Sequence, residues 1–283
     1  MEIRDHRFPE HWHGLSPNHG GPLTAPQFLV MHYTAGWSGE GARDYLMDPT
    51  APYTPSAHLV VGRDGRAWQI VPFDVKAWHA GRSYYRGVRG LNHCSVGIEL
   101  DGIGWLKPTA RGYLDPYGGV RRVEQGWVIG PYGRYCREDE LVFDTHPHAG
   151  PAELAWPPYT EAQLATLERL TRAVLAGYPS IREVIGHDDI RADKTDPGPA
   201  FPMARFKALV GDGADDREEH FVTTVALNVR GGPGIEYGTL GFGPLAPGTA
   251  VQALTARGDW RFVALADAPA NQGWVHGFYL RCA

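Results

Sequence analysis

The stretch Val184-Ile-Gly-His-Asp-Asp-Ile-Arg-Ala-Asp-Lys-Thr-Asp-Pro-Gly-Pro-Ala-Phe201 carries the strongest local signal in the chain. An apolar strand over residues 183–186 ends at His187, and Asp196 follows nine residues later inside Asp196-Pro-Gly-Pro199. The two prolines fix φ, so the loop is stiff and can hold two potential metal ligands in place. Lys194 precedes Asp196 by two residues, and in extended backbone such side chains point the same way, which sets a cation beside the metal. A His-and-Asp pair is also a common structural contact, and spacing alone leaves both readings open.

Outward from this block, residues 28–34, 57–61, 67–71 and 96–100 read as further apolar strands. Gly62-Arg-Asp-Gly65 joins the second and third as a hairpin, since Asp-Gly supplies the positive φ such turns need. Thr160 followed by Gln163 makes a capping box, and Leu164, Leu167, Leu170 and Val174 recur at helical spacing as far as Gly177. Strands alternating with helical segments predict an α/β domain with a mixed central sheet flanked by helices, spanning residues 1–210. Residues 102–159 have no clear period and form an insertion, either a substrate-side element or a surface excursion.

Two further side chains stand out. His32 ends the strand in Phe28-Leu-Val-Met-His-Tyr-Thr-Ala35, where a hydrogen-bonded core histidine is the competing reading. Glu99 sits inside Ser95-Val-Gly-Ile-Glu-Leu100, where an ionised carboxylate is costly unless it has a partner or a task. The alternative is a glutamate on the solvated face of an edge strand.

Composition bounds the rest. With 27 Lys+Arg against 32 Asp+Glu the net charge is −5, so no general attraction to nucleic acid or anionic membrane is expected. Cys94, Cys136 and Cys282 are odd in number and far apart, with no CxxC, which reads as reduced thiols rather than a disulfide framework. The start Met-Glu-Ile-Arg-Asp-His lacks the apolar run of a signal peptide, and no run approaches the roughly 20 residues of a membrane span. A polar, acidic stretch, 211–221, reads as a linker. Beyond it, residues 222–283 show short β-type runs broken by Gly-Gly-Pro-Gly and Pro-Gly, as in a small β-barrel.

His32, Ala57-His-Leu-Val-Val-Gly-Arg-Asp-Gly65, Ala77-Trp-His-Ala-Gly81, Asn92-His-Cys-Ser-Val-Gly-Ile-Glu-Leu100 and the block from Gly186-His187 to Pro199 occur in the order seen in type 2 N-acetylmuramoyl-L-alanine amidases. The sequence resembles these zinc enzymes, which are related to peptidoglycan recognition proteins, over residues 26–206 apart from the insertion. Lys194-Thr-Asp-Pro-Gly-Pro-Ala-Phe201 is the most specific piece. The resemblance implies that His32, His187 and Asp196 hold Zn2+, that Glu99 is the general base, and that Lys194 stabilises the oxyanion. His79 and Asn92 are candidates for substrate positioning, or for hydrogen bonds that fix their loop. The phage-lysozyme branch has Cys as third ligand and a Tyr where this chain has Asp196 and Ala57, which places the sequence nearer the anhydro-muropeptide amidases. The His-to-Asp interval is a residue shorter than in those enzymes.

Ala226-Leu-Asn-Val-Arg-Gly-Gly-Pro-Gly234 and Gly273-Trp-Val-His-Gly-Phe-Tyr-Leu280 resemble the two ends of a bacterial SH3-like domain, with Gly231 in place of the usual Ser. Such domains commonly bind cell-wall peptide. Trp260, Trp274 and Tyr279 supply either stacking area for that or core. The expected activity is hydrolysis of the amide between N-acetylmuramic acid and L-alanine in peptidoglycan or muropeptides. The rivals are a non-catalytic peptidoglycan sensor and a zinc amidase cutting another wall peptide bond. The expected setting is the cytoplasm, or that of a phage-type lysin reaching the wall by another route.

Overall fold

The computed structural model describes residues 1–211 and 219–282. Its centre is a six-stranded sheet in the order Trp12–His13, Ala67–Gln69, Leu59–Val61, Ser95–Leu100, Phe28–Tyr33, Glu183–Gly186. The last four strands run parallel to one another. Leu59–Val61 and Ala67–Gln69 form the expected antiparallel hairpin, with Gly65 at φ 83° in its turn. The sheet is mixed, as the sequence predicts.

Alternation along the parallel strands divides their side chains between two faces, both buried, as is usual for such strands. Leu29, Met31, Val96, Ile98, Leu100 and Val184 face the helix Glu161–Gly177, which returns Leu164, Leu167, Leu170 and Val174 to the same core. That helix starts at the expected Thr160 cap, whose side chain accepts from the Gln163 amide, but the reciprocal half of the box is not made, because the Gln163 side chain turns inward and donates to the carbonyls of Val61 (3.0 Å) and Asp101 (3.1 Å). The opposite face carries Phe28, Val30 and Ile185, and the segment beyond the linker covers it. Phe221, Leu227, Val229, Val251, Val263, Val275 and Leu280 pack with them in one cluster that also holds Val88, Leu91 and Ile190.

Among the described residues the C-terminal segment is β apart from one 3-10 turn, Gly277–Tyr279. Glu219–Thr223, Ala250–Arg257, Trp260–Leu265, Ala268–His276 and Leu280–Cys282 share a sheet with Tyr84–Tyr85 and Val88–Arg89, through the pair Leu280 and Val88. The Gln27 side chain also donates to the carbonyl of His220 (3.0 Å). Sheet and core therefore run across the 211–221 boundary. Most of that linker, residues 212–218, lies outside the described residues. The insertion folds around its own small core of Ile103, Leu106, Tyr113, Val128, Cys136, Leu141 and Ala155.

The cysteine expectation needs correction. Cys94 and Cys282, 188 residues apart, are disulfide-bonded with Cα atoms 5.4 Å apart, and only Cys136 is free. Spacing could not reveal this, because the pair forms only when the C-terminal strand closes over the sheet. Cys282→Ser is expected to lower the unfolding free energy by about 2–5 kcal/mol. Denaturation with and without reductant measures it, and an unchanged midpoint in the variant would mean the cross-link contributes nothing. No helix among the described residues is long and apolar enough to cross a membrane.

Candidate metal centre and active site

Three parallel strands bring their carboxyl ends to one edge. His32 is paired in register with Glu99 on the neighbouring strand, and Met31 with Gly186, the residue before His187. Residues paired across parallel strands point to the same side, so His32, His187 and Glu99 meet at the strand ends, where open α/β sheets place their ligands. His187 opens a single helical turn, His187–Ile190, whose start is held by the Asp189 carboxylate accepting from the Gly186 amide (2.9 Å). The Asp188 amide donates to the Asp196 carbonyl (2.9 Å), which folds the proline loop back onto this turn.

The result is a triangle of donor atoms. His32 Nδ1 lies 3.0 Å from His187 Nδ1 and 2.9 Å from Asp196 Oδ2, and His187 Nδ1 lies 2.9 Å from the same oxygen. The three residues are only 1%, 5% and 6% exposed. Their lone pairs can converge on one point away from water, an arrangement that a cation stabilises. They are a possible metal site, formed by two imidazole nitrogens and one carboxylate oxygen. Three protein ligands of this kind with a further position left for water are the donor set of a catalytic rather than a structural zinc site.

The electrostatics agree. Burial, reinforced by His187, lowers the His32 pKa to about 4, so its ring is neutral near pH 7. Burial pushes the Asp196 carboxyl upward, but the two imidazoles outweigh it and hold the group below the usual carboxylate range. Glu99 behaves oppositely. Burial, then the charge of Asp196, raise its pKa well above the ordinary glutamate value, with Lys194 partly offsetting them. Its Oε2 is buried with no hydrogen-bond partner. A half-buried carboxylate with one oxygen buried and unpaired beside a donor triangle is poised to take a proton, the property a general base needs.

Lys194 is half-buried two residues before Asp196, and its charge reaches both Glu99 and His32. His79 and Asn92 are placed differently from a substrate contact. The His79 ring is buried, with Nδ1 3.0 Å from His32 Nε2. Asn92 Oδ1 accepts from the amides of His79 (3.1 Å) and Ala80 (2.7 Å). Asn92 fixes the loop, and His79 stands directly behind a metal-ligand candidate.

Several contributors had little sequence signal. The insertion's hairpin, Val142–His146 with Gly150–Trp156, reaches the ligand loop: His146 Nε2 donates to Asp188 (3.0 Å) and His148 Nδ1 to the Lys194 carbonyl (2.7 Å). Tyr159 donates to the Pro197 carbonyl (2.7 Å), and the Tyr33 hydroxyl is hydrogen-bonded to Thr195. The region that sequence left between two readings is thus part of the scaffold around the site.

A family model described as N-acetylmuramoyl-L-alanine amidase matches residues 22–199. The chain is similar to the 1,6-anhydro-N-acetylmuramyl-L-alanine amidase AmpD of Escherichia coli, 36% identical over 157 residues that make up 55% of this chain and 58% of the relative. It is also similar to the amidase of the same name from Salmonella typhimurium, 35% identical over 202 residues, covering 65% of this chain and 81% of the relative. A solved structure described as a selenomethionine derivative of AmpD aligns at a TM-score of 0.49 and 30% identity, covering 75% of this chain and 100% of that one. The chain spans 58% of the length of the Escherichia coli relative.

Proposed function

The chain belongs to the N-acetylmuramoyl-L-alanine amidase family, and from that premise we propose that it hydrolyses the amide bond between N-acetylmuramic acid and L-alanine with one zinc ion. His32, His187 and Asp196 would hold the ion. When bound, zinc would supply Lewis acidity, able to bring the pKa of a water to about 7 and to polarise a carbonyl. Glu99 takes the proton of the attacking water and passes it to the departing amine of L-alanine. Lys194 offsets the charge that grows on the carbonyl oxygen, an interaction of roughly 3 kcal/mol for a well-placed donor. The observation that carries this reading is the donor triangle with the unpaired Glu99 carboxylate in register beside it.

The similar amidases are named for a 1,6-anhydro-N-acetylmuramyl-L-alanine bond, which supports a soluble anhydro-muropeptide as the substrate class. Residues 222–283 are proposed as an SH3-like unit that contacts cell-wall material. In support, its strands Ala250–Arg257, Trp260–Leu265 and Ala268–His276 form a meander, and Trp260 and Trp274 are half-buried with Tyr279 exposed. Mass spectrometry of an anhydro-muropeptide digest tests the activity. The expected product pair is the free anhydro-sugar and a peptide with L-alanine at its amino end. A cut elsewhere in the peptide would replace the proposed bond by another, and zinc uptake without any product would leave a binding protein.

A further inference from the structure

His32 is hydrogen-bonded on both sides, and its partners fix which ring nitrogen carries the proton. The chain of contacts begins at a backbone carbonyl. Ser95 Oγ lies 2.6 Å from the Leu91 carbonyl oxygen, which can only accept, so the single hydroxyl proton is committed there. Towards His79 Nε2, 3.2 Å away, Ser95 Oγ is then an acceptor. Among the described residues, the other oxygen hydrogen-bonded to that nitrogen is the Ser95 carbonyl at 3.5 Å, again an acceptor. His79 Nε2 therefore carries a proton.

The His79 ring is buried, and the hydrogen-bond partners described for it are Ser95 and His32, with no carboxylate among them to hold a second proton, so the ring is neutral. A neutral imidazole has one N–H, so His79 Nδ1 is a bare acceptor. His32 Nε2, 3.0 Å away, must donate to it. A metal-ligating imidazole must offer a lone pair, and with its proton on Nε2 His32 offers it on Nδ1, the atom that faces His187 and Asp196.

Two features hold the relay still. Asn92 Oδ1 grips the amides of His79 and Ala80. Gly97, on the strand between Ser95 and Glu99, leaves the space the ring fills, since a Cβ there would overlap the His79 imidazole.

We infer that His79 is a positioning residue: the relay Leu91 carbonyl, Ser95, His79, His32 locks His32 in the tautomer whose Nδ1 lone pair faces the metal position. This rests on the reading of His32, His187 and Asp196 as ligands. Metal-bound histidines commonly direct their second N–H to a carboxylate, a carbonyl or water, and loss of such a partner costs about 10–100-fold in affinity. Here the partner is a second neutral imidazole, itself aligned by a serine.

The test uses the full chain loaded with zinc. Nitrogen-15 spectra of the ring nitrogens are expected to place a proton on Nε2 of both His32 and His79; a proton on His79 Nδ1 overturns the relay. In chelator competition, His79→Leu is expected to weaken zinc binding about 10–100-fold. His79→Gln, whose side-chain oxygen can still accept from His32, is expected to recover most of the loss. At saturating zinc, KM for the muropeptide should be unchanged in both. Zinc affinity equal to wild type with a raised KM would make His79 a substrate contact and sink the proposal. Should His79→Leu fail to fold, the Gln variant and the ring spectra decide. A wild-type chain that takes up no zinc defeats the ligand assignment instead, and the tautomers alone then judge the relay.

Discussion

Glu99→Gln is expected to retain one zinc per chain and to lose about 10²–10⁴-fold in kcat, the range a positioned general base contributes. Gln preserves the shape and the strand, so His32 on the neighbouring strand keeps its place. What it removes is the only feature that makes the position chemically useful, a carboxylate able to accept a proton. The buried Oε2 has no hydrogen-bond partner, so the substitution breaks no existing contact of that atom. Stability should therefore change little or rise, because an amide avoids the cost of burying charge. The sign of the pH dependence follows from the raised pKa. Glu99 is protonated, and useless as a base, at pH values where an ordinary glutamate would still be ionised, so wild-type activity should fall on the acid side. A bound cation opposes that rise and extends activity downward. Chelation should silence the wild-type chain and added zinc should restore it, whereas zinc should restore nothing in Glu99→Gln. Near-normal turnover in a zinc-loaded Glu99→Gln protein would remove Glu99 from the mechanism.

How much of this was legible follows from which signals are local. Strand ends, the Asp196-Pro-Gly-Pro199 lock and the Thr160 cap are written in consecutive residues, and each lies where its chemistry predicts. Glu99 could be singled out because a lone carboxylate in an apolar strand is unusual on its own terms. His79 could not be placed the same way. Its role depends on Ser95, Gly97 and His32, which come together only when two parallel strands register. The one available hint was Gly97, since a glycine within a strand marks a close approach by something else. The insertion's contacts through His146 and His148 had no sequence signature, because irregular segments show no period from which a facing partner can be read. The Cys94 and Cys282 pair was hidden for a related reason: 188 residues of intervening chain carry no record of which surface the last strand will cover.

That covering surface changes what a truncation should do. The sequence suggests a detachable second unit, so that removing residues 211–283 would weaken contact with cell-wall material and spare hydrolysis of a small muropeptide. The shared core makes a different outcome the expected one: a chain ending at residue 211 should be insoluble or loosely folded, and inactive on soluble muropeptide as well. Phe28, Val30, Val88, Leu91, Ile185 and Ile190 are buried in the cluster that the C-terminal strands complete. At roughly 1.5–3 kcal/mol for each large apolar side chain fully returned to water, even half of that exposure is comparable to the about 5–15 kcal/mol that holds a typical domain together. The residues concerned are also the ones that aim the site. Phe28 and Val30 alternate with Leu29 and Met31 on the strand that carries His32, and Ile185 lies two residues before His187. Val88–Arg89 loses one of its two partner strands and Cys94 its disulfide, and Ser95, next to Cys94, anchors the relay behind His32. Size-exclusion chromatography, thermal unfolding and muropeptide hydrolysis of the 1–211 chain check this together. A monomer with a cooperative transition and wild-type turnover would mean that the face beneath the C-terminal strands is dispensable, and that the site is held from the helix side of the sheet alone.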